Sequence, residues 1–536
     1  MTRDAVPEIP AAVAPSPAAD RSVALPGWAG RLLAGTVPAV AVAVACLTFG
    51  RWQFGGFDHS ALIDVGWRLA QGQRPYVDFP CTVPVWWMEA IGLAFRWLGP
   101  SWWTVVVLQA AFAGVSYAWT FWLLELIWPR VLWSLLVALA LQAGSNLITS
   151  YWWYNTLTTM AACIYHLSLV ALALHPRRRA TNVSCVLAMT LLAGCKPNVA
   201  LPLLLASGPL LVLATRSFTR AAALVAATVA LTWAGLALAG ISPVQVWNSY
   251  RDVAGRGLTL QTLVELIRLT PSTQVAWMAS LAGECVAVAL AVMVLFRGHR
   301  TLPGIAAVVT GAAAVIAVLT NGENKLVDLT IMLCATWATY AAGRRAGAEW
   351  RRVPRPVFQV LACCIAALCL VWTGYGLALS ASRDRVRAIG PFYAPTYSAR
   401  RPSTPFFAGL QASDEFIAVE EQLAHALKTL EPASVFFGPR LQWAYAAFGL
   451  PSPLREPVWW HGGVSYGSAK EGEMVKAWRD NAHDVLIFYR NERIYIPDGL
   501  IESMPEPYLP AEGLEALTLL VTRAKAARHF PRPASP

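Results

Sequence analysis

The chain has 536 residues, of which 56% are hydrophobic and 14% charged, against about 25% charged in an ordinary soluble domain. That balance excludes a conventional water-soluble protein, because no soluble core needs so many unbroken apolar runs. The net charge of +11 does not point to nucleic acid: the basic clusters at 175–179, 216–220, 297–300 and 344–355 fall between apolar runs, and no basic stripe is interleaved with aromatics on a soluble face.

Residues 1–30 begin rich in Ala, Pro and Val with scattered charge, and read as a disordered cytoplasmic tail. They lack the basic, apolar and small-residue order of a signal peptide, so the first apolar run is expected to be an uncleaved span. About 20 apolar residues cross a bilayer as a helix, since the backbone must satisfy its own polar groups there. Candidate spans are 31–50, 84–99, 102–127, 131–148, 153–174, 183–195, 198–214, 221–241, 275–296, 302–320, 328–343 and 356–381. Lys196-Pro197-Asn198 interrupts the pair around it and predicts two half-length helices meeting at a polar mouth.

Arginine asymmetry places the N-terminus and the loops 175–181, 215–220, 297–301 and 344–355 in the cytoplasm. Loops 51–83, 242–274 and 321–327 then face outward, as does everything after 381. Parity demands an odd number of spans between loops 51–83 and 175–181, where four apolar runs lie. Either 84–99 is re-entrant or one long run is two spans, for 11–13 spans in all.

From 382 to 536 charges return and Pro and Gly punctuate the chain. Val435-Phe436-Phe437-Gly438 and Val485-Leu486-Ile487-Phe488-Tyr489 predict buried strands, and 412–430 and 468–481 predict helices. The predicted fold class is mainly α: a polytopic α-helical membrane protein, with residues 31–381 as the transmembrane domain and 382–536 as an extracytoplasmic α/β domain. No internal repeat is evident. Nine of the ten cysteines lie in or beside apolar runs, Cys81 being the exception, and no Cys/His spacing suggests zinc. No cofactor is assigned, and a divalent cation stays open.

The loop 51–83 carries the most chemistry. Between Ser60 and Gln71 apolar residues recur at helical spacing, predicting an amphipathic helix along the membrane surface. Asp58 would open it, either as a helix cap or as a reactive carboxylate. Asp64 and Asp78 read as solvated loop charges, Asp78 alternatively as a cation or substrate ligand. Trp102-Trp103 and Trp152-Trp153 read as interfacial belt residues, and His166 as a satisfied interior histidine. Trp459-Trp460-His461-Gly462-Gly463 is either a sugar platform or, by preference, an aromatic core cluster.

Asp58, Gly72, Pro75-Tyr76, Asp78-Phe79 and Pro84 together resemble the first external loop of the GT-C glycosyltransferases, of the protein mannosyltransferase and aminoarabinose transferase type. The resemblance implies a transferase that takes a sugar from a polyprenyl-phosphate donor and passes it to a glycan, lipid or protein acceptor on the outer face, with Asp58 as the catalytic carboxylate, acting as base. Lys-Pro-Asn at 196–198 also looks like that pattern, and makes Lys196 and Asn198 candidates for binding donor phosphate. The chain departs from the family at His59, where Glu is usual, and at Val83, where His is usual. Arg251 and Arg256 in loop 242–274 are read either as lipid-phosphate ligands or as headgroup contacts. Asn321-Gly322-Glu323-Asn324-Lys325 reads as a turn. The competing functions are a lipid-linked glycan flippase and a non-catalytic glycolipid-binding relative. A transporter would show a second broken helix pair, and none is found. Bilayer lipid is an expected partner; nucleic acid is not.

Overall fold

The structure, a computed structural model, describes residues 27–54, 58–127, 129, 131–142, 146, 151–253, 398–460, 465–490, 500–501, 504, 507–511 and 514–529. The candidate spans at 275–296, 302–320, 328–343 and 356–381, the 321–325 turn and Arg256 lie outside these residues.

The N-terminal half is helical. Helices α1 (Gly27–Phe49), α4 (Trp102–Ile127), α5 (Val131–Gln142) and α6 (Tyr154–Leu174) pack together. Small residues let α1 and α4 approach: a Cβ on Gly114 would stand 3.3 Å from the Ala39 carbonyl oxygen. A buried polar ladder links α4 to the region of α5. Gln109 donates to Asn146 Oδ1 at 2.7 Å, and Ser116 donates to Gln142 Oε1 at 2.8 Å. In lipid such groups must find one another, because no water can take their place. Helix α6 is buried along nearly its whole length and forms the centre of the bundle.

The chain then runs through α7 (Arg179–Ala193), α8 (Pro197–Ala206), α9 (Gly208–Thr215) and α10 (Phe218–Leu238). The predicted break at Lys196 is present, with Pro197 at the first position of α8, where its missing N–H costs nothing. The run predicted at 198–214 is broken again at Ser207, whose hydroxyl meets the Tyr165 hydroxyl at 2.5 Å. Among the described residues four helices are long and apolar enough to cross a membrane: Ala29–Trp52, Trp102–Ile127, Tyr154–Leu174 and Phe218–Leu238.

Helix α2 (Asp58–Ala70) and helix α3 (Val85–Leu98) form a layer of their own. At 14 residues, α3 reaches about 21 Å, short of the roughly 30 Å hydrocarbon layer.

In the C-terminal part the strands predicted at 435–438 and 485–489 and the helices predicted at 412–430 and 468–481 are present, with additions. Helix α12 (Asp414–Leu430) starts at Ser413, whose hydroxyl accepts from Phe416 N at 3.1 Å, a cap worth about 1 kcal/mol. Strands β1 (Val435–Phe437) and β2 (Val485–Tyr489) pair in parallel. Two strands missed in the sequence, β3 (Tyr508–Ala511) and β4 (Leu517–Thr522), complete an antiparallel extension, giving the order β1-β2-β4-β3. Helix α14 (Glu471–Asn481) covers an aromatic core of Phe436, Trp460, Trp478 and Phe488. Trp460 is therefore a core residue, while 461–463 lie outside the described residues. Between β1 and β2 the chain makes a short helix, α13 (Trp443–Ala447), and leaves the sheet to lie on α2.

Candidate functional site

Helix α2 carries two stripes. Leu62, Val65, Gly66 and Leu69 recur at helical spacing and face α3: a Cβ on Gly66 would stand 2.9 Å from Ile91 Cγ1, and one on Gly92 would stand 2.6 Å from Leu69 Cβ. Ser60, Asp64, Trp67, Arg68 and Gln71 line the opposite side and face residues 442–456. Ser60 donates to Gln442 Oε1 at 2.9 Å, Trp67 Nε1 to the Leu450 carbonyl at 2.8 Å, and Arg68 to the Pro453 carbonyl at 2.7 Å. The helix is thus enclosed on both sides, which corrects the surface-lying expectation. Its polar stripe meets protein rather than headgroups.

Asp64 is also corrected, from a solvated charge to a buried one. Its carboxylate accepts from Arg68 Nε at 2.8 Å and from the Ser452 hydroxyl. Burial pushes the Asp64 carboxyl up; the adjacent Arg68 cation and the Ser452 hydrogen bond pull it back. Beside this pair Glu456 Oε1 accepts from His483 Nε2 at 2.6 Å and from Asn481 at 2.7 Å. Charges taken out of water persist only when paired and hydrogen-bonded in this way.

The first turn of α2 opens on an aromatic wall. Asp58 begins the helix, and His59 is shut among Tyr151 at 4.2 Å, Trp153 at 5.5 Å and Trp102 at 6.0 Å between ring centroids. Burial, with a smaller contribution from Arg440, lowers the His59 imidazole to about 3. It is neutral at physiological pH and brings no charge to this turn. Trp102, Trp152 and Trp153 are buried, which corrects the belt assignment for these three, while Trp103 is half-buried. The Trp102 indole donates to the Gly50 carbonyl at 2.9 Å and Trp152 to the Trp87 carbonyl at 3.0 Å; a Trp with an N–H partner is as much a core residue as a belt one.

The wall continues to Lys196. Trp153 stacks on Tyr154 at 4.9 Å, and Lys196 Nζ lies over the Tyr154 ring at 5.4 Å while donating to Asn155 Oδ1 at 3.2 Å. Lys196 sits half-buried in the turn between α7 and α8. Asn198 lies in the first turn of α8. The structure therefore brings the start of α2 and the Lys196 turn to two ends of one wall. Sequence reasoning missed Tyr154 and Asn155. Their signal was a polar pair directly after Trp152-Trp153, at the head of an otherwise apolar run.

Asp78 lies elsewhere in the loop and shapes it. Its carboxylate accepts from Arg74 N at 2.7 Å and Arg74 Nε at 3.4 Å, and its carbonyl accepts from Arg455 N at 2.7 Å. Helix α11 (Pro243–Val253) seats on the end of the same loop through Ser249, which donates to the Cys81 carbonyl at 3.0 Å. Arg251 is exposed on that helix. Cys81 is fully buried, and burial pushes its thiol up to about 12. Among the described residues no three His, Cys, Asp or Glu side chains converge to hold a metal ion.

No family model matches this chain, and no curated protein matches it. Among solved structures it is similar to ArnT from Cupriavidus metallidurans, whose crystal structure is bound to undecaprenyl phosphate. The similarity has 12% identity and a TM-score of 0.48, over 92% of this chain and 98% of that one.

Proposed function

We propose that this chain is a membrane-embedded glycosyltransferase that moves a sugar from a polyprenyl-phosphate donor to a hydroxyl acceptor at the outer face of the membrane. The observation that carries the reading is the aromatic wall, with the Lys196 ammonium at one end and the helix turn opened by Asp58 at the other.

Sugar transfer needs a base at the acceptor and positive charge at the leaving group. Asp58 accepts the proton of the acceptor hydroxyl as its oxygen bonds to the anomeric carbon. The bond from that carbon to the phosphate oxygen breaks, and the polyprenyl phosphate departs with the electron pair. Lys196 steadies the charge gathering on the phosphate, and Tyr154 with Trp153 offers faces on which a sugar ring can lie. Neutral His59 leaves Asp58 as the one carboxylate of the turn. Asn198, Arg251 and Arg256 serve the phosphate and headgroup side, and Asp78 holds the loop in shape. The sequence resemblance of the loop and the run of apolar helices support this reading, with the N-terminus cytoplasmic and residues 382–536 an outer domain.

The test is single-turnover transfer by purified Asp58→Asn with saturating donor. Asn caps a helix about as well as Asp, so folding should be kept. Loss of a base should cost roughly 100-fold or more. A rate within about threefold of wild type, far less than a lost base should cost, would return Asp58 to the role of helix cap.

A further inference from the structure

The loop that carries Asp58 ends at Pro84, and two residues later Trp86 stands in the first turn of α3. Its indole is inserted into a slot made by two glycines on different helices. A Cβ on Gly194, at the end of α7, would stand 1.7 Å from Trp86 Nε1. A Cβ on Gly235, inside α10, would stand 2.5 Å from Trp86 Cη2. No side chain other than hydrogen fits at either place while the indole is there. A glycine inside a helix costs about 1 kcal/mol relative to alanine, so Gly235 has a local cost that close packing offsets.

Trp86 also holds the end of α7 by hydrogen bonds. Its Nε1 donates to the Thr190 carbonyl at 2.9 Å, and its backbone N to the Gly194 carbonyl at 3.4 Å. Two residues beyond Gly194 is Lys196. The far side of that turn is held from α6, where Thr158 Oγ1 accepts from Lys196 N at 3.4 Å. The lysine turn is therefore fixed between Trp86 on one side and α6 on the other.

We infer that Trp86 is a positioning residue that keys the end of the Asp58 loop to the Lys196 turn, and so sets the place of the Lys196 ammonium for a lipid phosphate. The inference rests on the reading of Lys196 as the phosphate ligand. It adds a residue that touches no substrate and acts through the lysine.

A double-mutant cycle on binding of undecaprenyl monophosphate by the purified full chain in detergent tests it. Lys196→Ala should weaken binding about tenfold or more, as for loss of a hydrogen bond to a charged group. Trp86→Phe keeps a ring in the slot and removes the N–H; it should weaken binding about three- to tenfold, the range of one ordinary hydrogen bond. Gly235→Ala, which displaces the ring, should do the same. In the Lys196→Ala background both changes should cost nothing further, because residues that act through one another are not additive. Unchanged binding by Lys196→Ala would sink the functional reading itself. Weakened binding by Lys196→Ala, together with Trp86→Phe and Gly235→Ala variants that bind as wild type or lose affinity equally in both backgrounds, would overturn the role of Trp86 alone. Thermal unfolding of each variant separates misfolding from lost binding, and Trp86→Phe is the variant expected to fold whatever the others do.

Discussion

Arg68 lies one helical turn beyond Asp64, and its Nε meets the Asp64 carboxylate at 2.8 Å with both side chains closed off from solvent. The pair sits on the seam between α2 and residues 442–456, so its integrity reports on whether that seam is closed. Arg68→Met would leave a buried carboxylate without its cation, a change that costs about 3–5 kcal/mol. The double variant Asp64→Leu/Arg68→Met should recover most of that loss, since removing both charges spares their desolvation. Thermal unfolding of the two purified variants in detergent checks the pair; equal losses would show that the charges do not compensate one another.

Acidification should act on Arg68→Met with a definite sign. Burial already raises the Asp64 carboxyl against the pull of Arg68 and of the Ser452 hydrogen bond, and without the arginine only that hydrogen bond opposes it. The folded state then holds a proton that the unfolded chain releases near about 3.9. Stability is fully present below that unfolded value and is lost as pH rises through the raised folded one. The variant should therefore regain melting temperature on acidification from neutral pH, relative to wild type. A parallel pH profile would remove Asp64 as the cause.

Cys81 should be silent towards alkylating reagents in the folded protein. It is buried, it accepts from Val83 N at 3.4 Å, and its thiol is pushed up to about 12, whereas reactivity belongs to the thiolate. Mass spectrometry after iodoacetamide treatment should find Cys81 modified only once the protein is denatured.

That silence permits a topology measurement with introduced cysteines. Arg74 and Leu454 are exposed, as is Arg178 in the basic loop after α6. Impermeant maleimide applied to intact cells should label cysteines at 74 and 454 but not at 178. Labelling at 178 would reverse the orientation argued from arginine asymmetry.

Asp78→Asn should be mild. The amide keeps an oxygen for Arg74 N, the shorter of the two contacts made at Asp78 Oδ2. Transfer should fall no more than about tenfold, the worth of one ordinary hydrogen bond. A loss as deep as that of Asp58→Asn would place Asp78 among the reacting groups instead.

Much of the architecture was legible because it rests on local physics. The apolar runs that became α1, α4, α6 and α10, the proline break before α8, and strands β1 and β2 each announce themselves within about 20 residues, the length of one span. The polar stripe of Ser60, Asp64, Arg68 and Gln71 was equally visible, but not its partner. A helix with one polar face looks the same whether that face meets headgroups or protein. The choice was decided by Gln442, Leu450, Ser452 and Pro453, as much as 388 residues away. The tryptophans were misplaced for a related reason: an indole N–H satisfied by a distant carbonyl leaves no mark in the sequence. The aromatic wall between His59 and Lys196 was hidden too, because it is assembled from four separate stretches of chain.

The seam between α2 and residues 442–456 sets an order of events in biogenesis. Ser60 and Gln442 are 382 residues apart, and a ribosome adding roughly 5–20 residues per second needs about 20–80 s to cover that distance. For that interval Asp64 and Arg68 have each other but neither Ser452 nor Pro453, and the polar stripe of α2 faces whatever surrounds a half-made membrane protein. The last quarter of the chain thus closes a surface laid down near the start. A nascent chain arrested before it would display an unfinished loop to the quality-control machinery, whatever the state of its membrane helices.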